Sequence, residues 1–121
     1  MAKTIAIDFD ATIAEYTEYK GKCVFGDPLP GAREAIEELK RDGWLIIIYT
    51  TRSESWAIRN YMELHDIPFD FINHNPYNVE ADCFHGKPRA DVYLDDRAVT
   101  FQGNWGKALF DVKNFSEWWR K

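Results

Sequence analysis

The run "WLIIIYT", residues 44–50, constrains the fold of this chain more than any other stretch. It is apolar at successive positions, so as a strand it is apolar on both faces. Such a strand belongs in the middle of a parallel sheet with cover on each side. The segments around it alternate in kind. Residues 3–8 read as a first strand. "LPGAREAIEELKRDG" reads as a helix with Ala32, Ala35, Ile36 and Leu39 in an apolar stripe, Pro30 and Gly31 at its start and Gly43 as terminator. "SESWAIRNYMELHD" reads as a second helix, with Ser53 as N-cap and Ala57, Ile58, Tyr61, Met62 and Leu64 facing inward.

Pro68 ends that helix, and "FDFIN" is a third strand. "HNPYNVEADCFHGKPR" reads as loop, "DVYL" as a fourth strand and "KALFDV" as a fifth. "NFSEWWRK" reads as a terminal helix, with Asn114 and Glu117 spaced as a capping box. Neighbours on a helix do not share a face, so one ring of Trp118 and Trp119 is expected to be partly exposed, or buried by a loop or a partner. Strand–helix alternation implies an α/β fold: one Rossmann-like, doubly wound parallel sheet of about five strands, ordered 5-4-1-2-3, with helices on both faces. The 121 residues suffice for one domain, residues 1–121, and not for two.

Composition narrows the class. A formal charge of −5 argues against a mainly electrostatic nucleic-acid binder. No apolar run is long enough for a membrane span, and strand begins too early for a signal peptide. Cys23 and Cys83 lie far apart and form no metal-like pair, which favours reduced thiols and a cytoplasmic location.

The polar residues carry the chemistry. Ligands of open α/β sheets bind beyond the carboxyl ends of the strands. The first strand ends in Asp8 and Asp10, the second in Thr50, Thr51 and Arg52, and the fourth in Asp95 and Asp96, with Lys87 just before the fourth. If the first and fourth strands are neighbours, four carboxylates converge. Two unit charges about 4 Å apart repel by roughly 4 kcal/mol at an effective dielectric of 20. Such a cluster calls for a cation, and oxygen ligands without His or Cys suit Mg²⁺. A carboxylate nucleophile, a metal, a lysine and a second acid are together the parts of phosphoryl transfer.

In this order the residues resemble the motifs of the haloacid dehalogenase (HAD) superfamily of phosphohydrolases. "AIDFDATI" is similar to its first motif, Asp-x-Asp-x-Thr, here Asp8, Asp10 and Thr12; "LIIIYTTR" to its second, best matched by Thr50; Lys87 to the lysine of its third; "VYLDD" to its acidic fourth. The resemblance spans residues 3 to about 112. It implies that Asp8 is a nucleophile forming an aspartyl-phosphate and Asp10 the general acid and base. It implies Mg²⁺ held by Asp8, the backbone carbonyl of Asp10 and an acid of the last motif, Asp96 in preference to Asp95. Thr50, with Thr51 as alternative, and Lys87 would hold the phosphoryl group. Ala11 stands where Gly is frequent in the family.

The stretch from Ile13 to Pro30 is too short for a cap domain and reads as a flap, and the stretch from Asn73 to His85 as a loop. A capless member has an open site, lined in this reading by Asn73, Asn75 and, on even terms with an ion pair to Glu54 or Glu80, Arg52. His65, His74 and His85 read as surface or satisfied polar residues rather than catalytic ones. The expected activity is hydrolysis of a phosphomonoester. A nucleotide or polynucleotide-end phosphatase is the alternative, with nucleic acid entering only as substrate. A phosphate-accepting signalling receiver is disfavoured because the lysine precedes the acid pair. An inactive binding module is the third reading, and a homo-oligomer is left open.

Overall fold

The computed structural model describes residues 2–77 and 87–120. Cys83, His85 and Glu80 lie outside the described residues, as does most of the loop expected before the fourth strand. Strands β1 (Thr4–Asp8), β2 (Leu45–Tyr49), β3 (Phe71–Ile72) and β4 (Val92–Leu94) form a parallel sheet in the order β3-β2-β1-β4. Helices α1 (Ala32–Arg41) and α2 (Ser55–Leu64) connect the first three strands, and α3 (Trp105–Lys113) follows the fourth. The chain is thus a mixed α/β fold on a parallel sheet. Among the described residues no helix is long and apolar enough to cross a membrane.

Register explains the core. Ile5 pairs with Ile46 and Ile7 with Ile48, so these four side chains share one sheet face. Ile36 of α1 and Ile58, Tyr61 and Met62 of α2 complete one cluster with them. Both crossovers step the same way across the sheet, which places both helices on that face. After β3 the chain returns across β1 to β4. Phe71 pairs with Ile47 and so points to the other face, where the rings of His74 and Tyr77 meet it at 6.5 and 5.9 Å. The direction of winding therefore reverses at β1, and the switch point lies between the ends of β1 and β4. Asp70 and Asp91 secure the strand starts: Asp70 accepts from Ile46 N and Lys40 Nζ, and Asp91 accepts from Thr4 N.

Several expectations are corrected. Instead of five strands in the order 5-4-1-2-3, the described residues form four in the order 3-2-1-4, because "KALFDV" lies within α3. The six-residue window is too short to show its period, but Trp105, Leu109 and Val112 recur at helical spacing, and the Asn104 side chain caps the helix by accepting from Lys107 N at 3.0 Å. α3 buries none of its residues, so helical cover among the described residues is confined to α1 and α2 on one face. Among the described residues there is no terminal helix. Asn114 ends α3, its amide turned back onto the Phe110 carbonyl at 2.8 Å, and only a turn closed by Arg120 N on Glu117 O follows. Glu54 rather than Ser53 precedes α2, its carbonyl accepting from Ala57 N. Ala35 is exposed, and Leu64, the last residue of α2, is 79% exposed.

Candidate active site

Phe9 orders the end of β1. Its ring is fully buried, edge-on to Phe25 and Tyr61 at 5.2 and 5.0 Å, and alternation then sends Asp8 and Asp10 away from the core. The chain turns at once: the N–H groups of Ile13 and Ala14 both reach the Phe9 carbonyl, at 2.9 and 3.0 Å. Ala11 adopts φ +63°, a left-handed conformation that costs an Ala about 1 kcal/mol or more. This explains why glycine suits the position, and here the turn is held by Ala11 N on Ala14 O at 2.8 Å and by Trp118 Nε1 on Ala11 O at 2.9 Å. The Thr12 hydroxyl is buried without a hydrogen-bond partner among the described residues.

At the switch point, one carboxylate oxygen from each of Asp8, Asp95 and Asp96 lies within 4.8 Å of the others. Crowding has the expected electrostatic result. Burial, the hydrogen bond to Asp96 and the charges of Asp95 and Asp96 push Asp8 up to about 9. Burial also works against the charge of Asp96, but hydrogen bonds from Asp8 and Trp119 outweigh it and hold Asp96 below the usual carboxylate range. Tyr49, in register with Asp8, donates its hydroxyl to Asp95, and burial followed by that bond raises the phenol well above its ordinary value. Trp119 Nε1 donates to Asp96 Oδ2 at 2.8 Å, and Arg97 Nε lies 3.8 Å from the same oxygen.

The fourth carboxylate does not join them. Asp10 turns toward Arg52, which donates from Nε to Oδ2 at 2.7 Å and from Nη2 to Oδ1 at 3.0 Å. The convergence of four acids is therefore a convergence of three, because a buried guanidinium offers Asp10 two charge-assisted bonds. Arg52 also pairs with Glu54 at 3.4 Å.

Asp8, Asp10, Thr50, Thr51, Arg52 and Lys87 all line one open cleft of about 1280 Å³, together with Asn73, Asp95 and Asp96. The Thr50 hydroxyl accepts from Arg52 N at 3.1 Å, which leaves its own proton to donate. Asn73, at φ +53°, holds the Thr50 backbone at both ends: Oδ1 accepts from Thr50 N at 2.8 Å, and Nδ2 donates to Thr50 O at 3.1 Å. It lines the cleft with its amide already committed. Asn75 is not a lining residue; it donates to Arg89 O at 2.8 Å and accepts from Tyr77 N at 3.0 Å, closing a turn. Lys87 Nζ sits 4.2 Å from the centre of the Tyr93 ring.

The flap region is a tethered loop. Glu15 N donates to Asp27 O at 2.8 Å and Leu29 N to Ile13 O at 2.7 Å, which zips its base. Cys23 N donates to Glu54 Oε1 and Tyr61 Oη to Gly26 O, which fastens its far side to α2. Tyr16, Tyr19 and Lys22 stand on the cleft wall. The roles of Tyr49 and Trp119 were not anticipated. Strand alternation was a usable signal for Tyr49, which shares a face with Asp8. None existed for Trp119, 23 residues beyond its acceptor.

No family model and no curated protein matches this chain. Among solved structures it is similar to a conserved protein of Bacteroides thetaiotaomicron, at 28% identity over 93% of this chain and 91% of that one, with a TM-score of 0.64.

Proposed function

We propose that this chain is a HAD-like, Mg²⁺-dependent phosphohydrolase that cleaves phosphomonoesters through an aspartyl-phosphate on Asp8. The observation that carries the reading is the meeting of Asp8, Asp95 and Asp96 at the switch point, with Asp10, Thr50 and Lys87 on the wall of the same cleft. The donor set fits the metal: three crowded carboxylates, with the charged form of Asp8 disfavoured by burial and by its neighbours, form an all-oxygen site short of positive charge. Asp8, Asp95 or Asp96, and the backbone carbonyl of Asp10 would hold it. Bound there, Mg²⁺ would supply charge that offsets the phosphoryl oxygens and favours the ionised form of Asp8.

The ionised Asp8 oxygen attacks phosphorus, and the bond to the leaving oxygen breaks as Asp10, which enters this step protonated, gives its proton to that oxygen. Asp10 then takes a proton from a water that attacks the same phosphorus. The bond to Asp8 breaks, releasing inorganic phosphate and restoring the carboxylate. The two bonds from Arg52 leave Asp10 further lone pairs for this exchange. Thr50 donates its hydroxyl to a phosphoryl oxygen, and Lys87 supplies a positive charge. A nucleotide or polynucleotide end is the second reading of the substrate, favoured by the 59%-exposed Tyr19 ring beside Lys22 on an open wall.

The test is hydrolysis of an aryl phosphate by wild type and Asp8→Asn, each with Mg²⁺ and with a chelator. Activity that needs the metal and falls more than about 1000-fold in Asp8→Asn is expected. A folded protein that neither binds Mg²⁺ nor hydrolyses aryl, nucleotide or oligonucleotide phosphates would overturn the reading.

A further inference from the structure

Arg52 is only 8% exposed, and its bonds join three parts of the chain. Two go to Asp10 after β1. Nη1 donates to Gly21 O at 3.3 Å and Nη2 to Val24 O at 3.2 Å, both in the tethered loop. The third partner is Glu54, ahead of α2. The rings of Phe25 and Tyr19 lie 4.7 and 5.3 Å from the guanidinium carbon. A planar fork with five donors can satisfy these acceptors together; a lysine could keep the charge but not the geometry.

We propose that Arg52 is the positioning residue of this site, orienting Asp10 for proton transfer and latching the 19–25 loop through the same guanidinium. The acid and the wall beside it are then set as one unit. Loosening either partner of Arg52 loosens the other. The catalytic half of this inference rests on the phosphohydrolase reading; the latch does not.

Lys20 and Lys22 place two tryptic sites in the loop, and Arg59 within α2 reports global opening. Arg52→Lys and Asp10→Asn are each expected to speed cleavage after Lys20 and Lys22 by about 10-fold, the double variant adding little, with Arg59 unaffected. Unchanged loop cleavage, multiplicative effects, or an equal rise at Arg59 would overturn the latch. The second arm compares an alkyl with an aryl phosphate in the presence of Mg²⁺, since only the alkoxide needs a proton to leave. Arg52→Lys should lower kcat by about 100-fold on the alkyl ester and by less than about 10-fold on the aryl ester, with KM little changed, as Asp10→Asn does. Equal losses on both esters would overturn the positioning role. A wild type that binds no Mg²⁺ and hydrolyses neither these esters nor nucleotide or oligonucleotide phosphates would overturn the phosphohydrolase reading and the catalytic half with it, and proteolysis would still decide the latch.

Discussion

The indole of Trp119 donates to Asp96 Oδ2 at 2.8 Å, so the last turn of the chain holds one member of the acid cluster in place. The Trp119 ring is itself fixed, edge-on to Tyr16 at 5.3 Å and near the guanidinium groups of Arg97 and Arg120. Trp119→Phe keeps most of the packing and removes the donor. It is expected to cost about 2 kcal/mol, as for a bond to a charged acceptor, and to weaken Mg²⁺ binding severalfold. Urea midpoints and Mg²⁺-dependent Tm shifts measure the two effects separately.

Stability should depend on pH through Asp8. Its carboxyl titrates near 3.8 ordinarily and at about 9 in the folded chain, chiefly through burial. The stability associated with the bound proton is therefore fully present below about pH 4 and is lost as pH rises toward about 9. In a chelator, wild type should lose stability across this window relative to Asp8→Asn, which has no such proton. Each pH unit separating the two titrations is worth about 1.4 kcal/mol, so urea melts from pH 5 to 9 resolve the trend. If the proposed Mg²⁺ site is real, the metal competes with this proton and should stabilise wild type more at pH 8 than at pH 5.

Asn73 should matter through the backbone it holds. Asn73→Ala loses both bonds to Thr50 and places an Ala at φ +53°, an expected cost of about 2–3 kcal/mol. Asn73→Gly keeps the conformation and loses only the bonds, so it should be the milder variant by thermal melts. Both should lower phosphate-ester turnover, since Thr50 is no longer held at the cleft.

The loop depends on Gly26. A Cβ there would lie 2.3 Å from the Glu15 carbonyl oxygen, which is backbone and cannot step aside. Gly26→Ala should cost more than about 2 kcal/mol and unzip the base of the loop, seen as a lower Tm and faster tryptic cleavage after Lys20 and Lys22.

What could be read before folding followed from local periodicity. The apolar run 45–49 and the stripes of the two helices identify β2, α1 and α2, because burial repeats at 2 and 3.6 residues wherever an element packs. The helix α3 was misread since a six-residue window holds too little of either period, and Asn114 was misread since its amide turned back to its own helix. Asp8, Asp95, Asp96 and Thr50 were legible as neighbours because strand ends gather at one sheet edge; Lys87, ahead of β4, lines the same cleft for a reason no strand end supplies.

The sequence by itself determined the parallel α/β plan and which polar residues would reach the carboxyl edge, since both depend on neighbours in the chain. Only the tertiary structure decided how those residues are partnered. Asp10 meets Arg52 across 42 positions, Asp95 meets Tyr49 across 46, and Asp96 meets Trp119 across 23. Such pairings have no period to betray them. They form when a closed core leaves each buried charge with few donors in reach, and a carboxylate takes the partner that geometry presents.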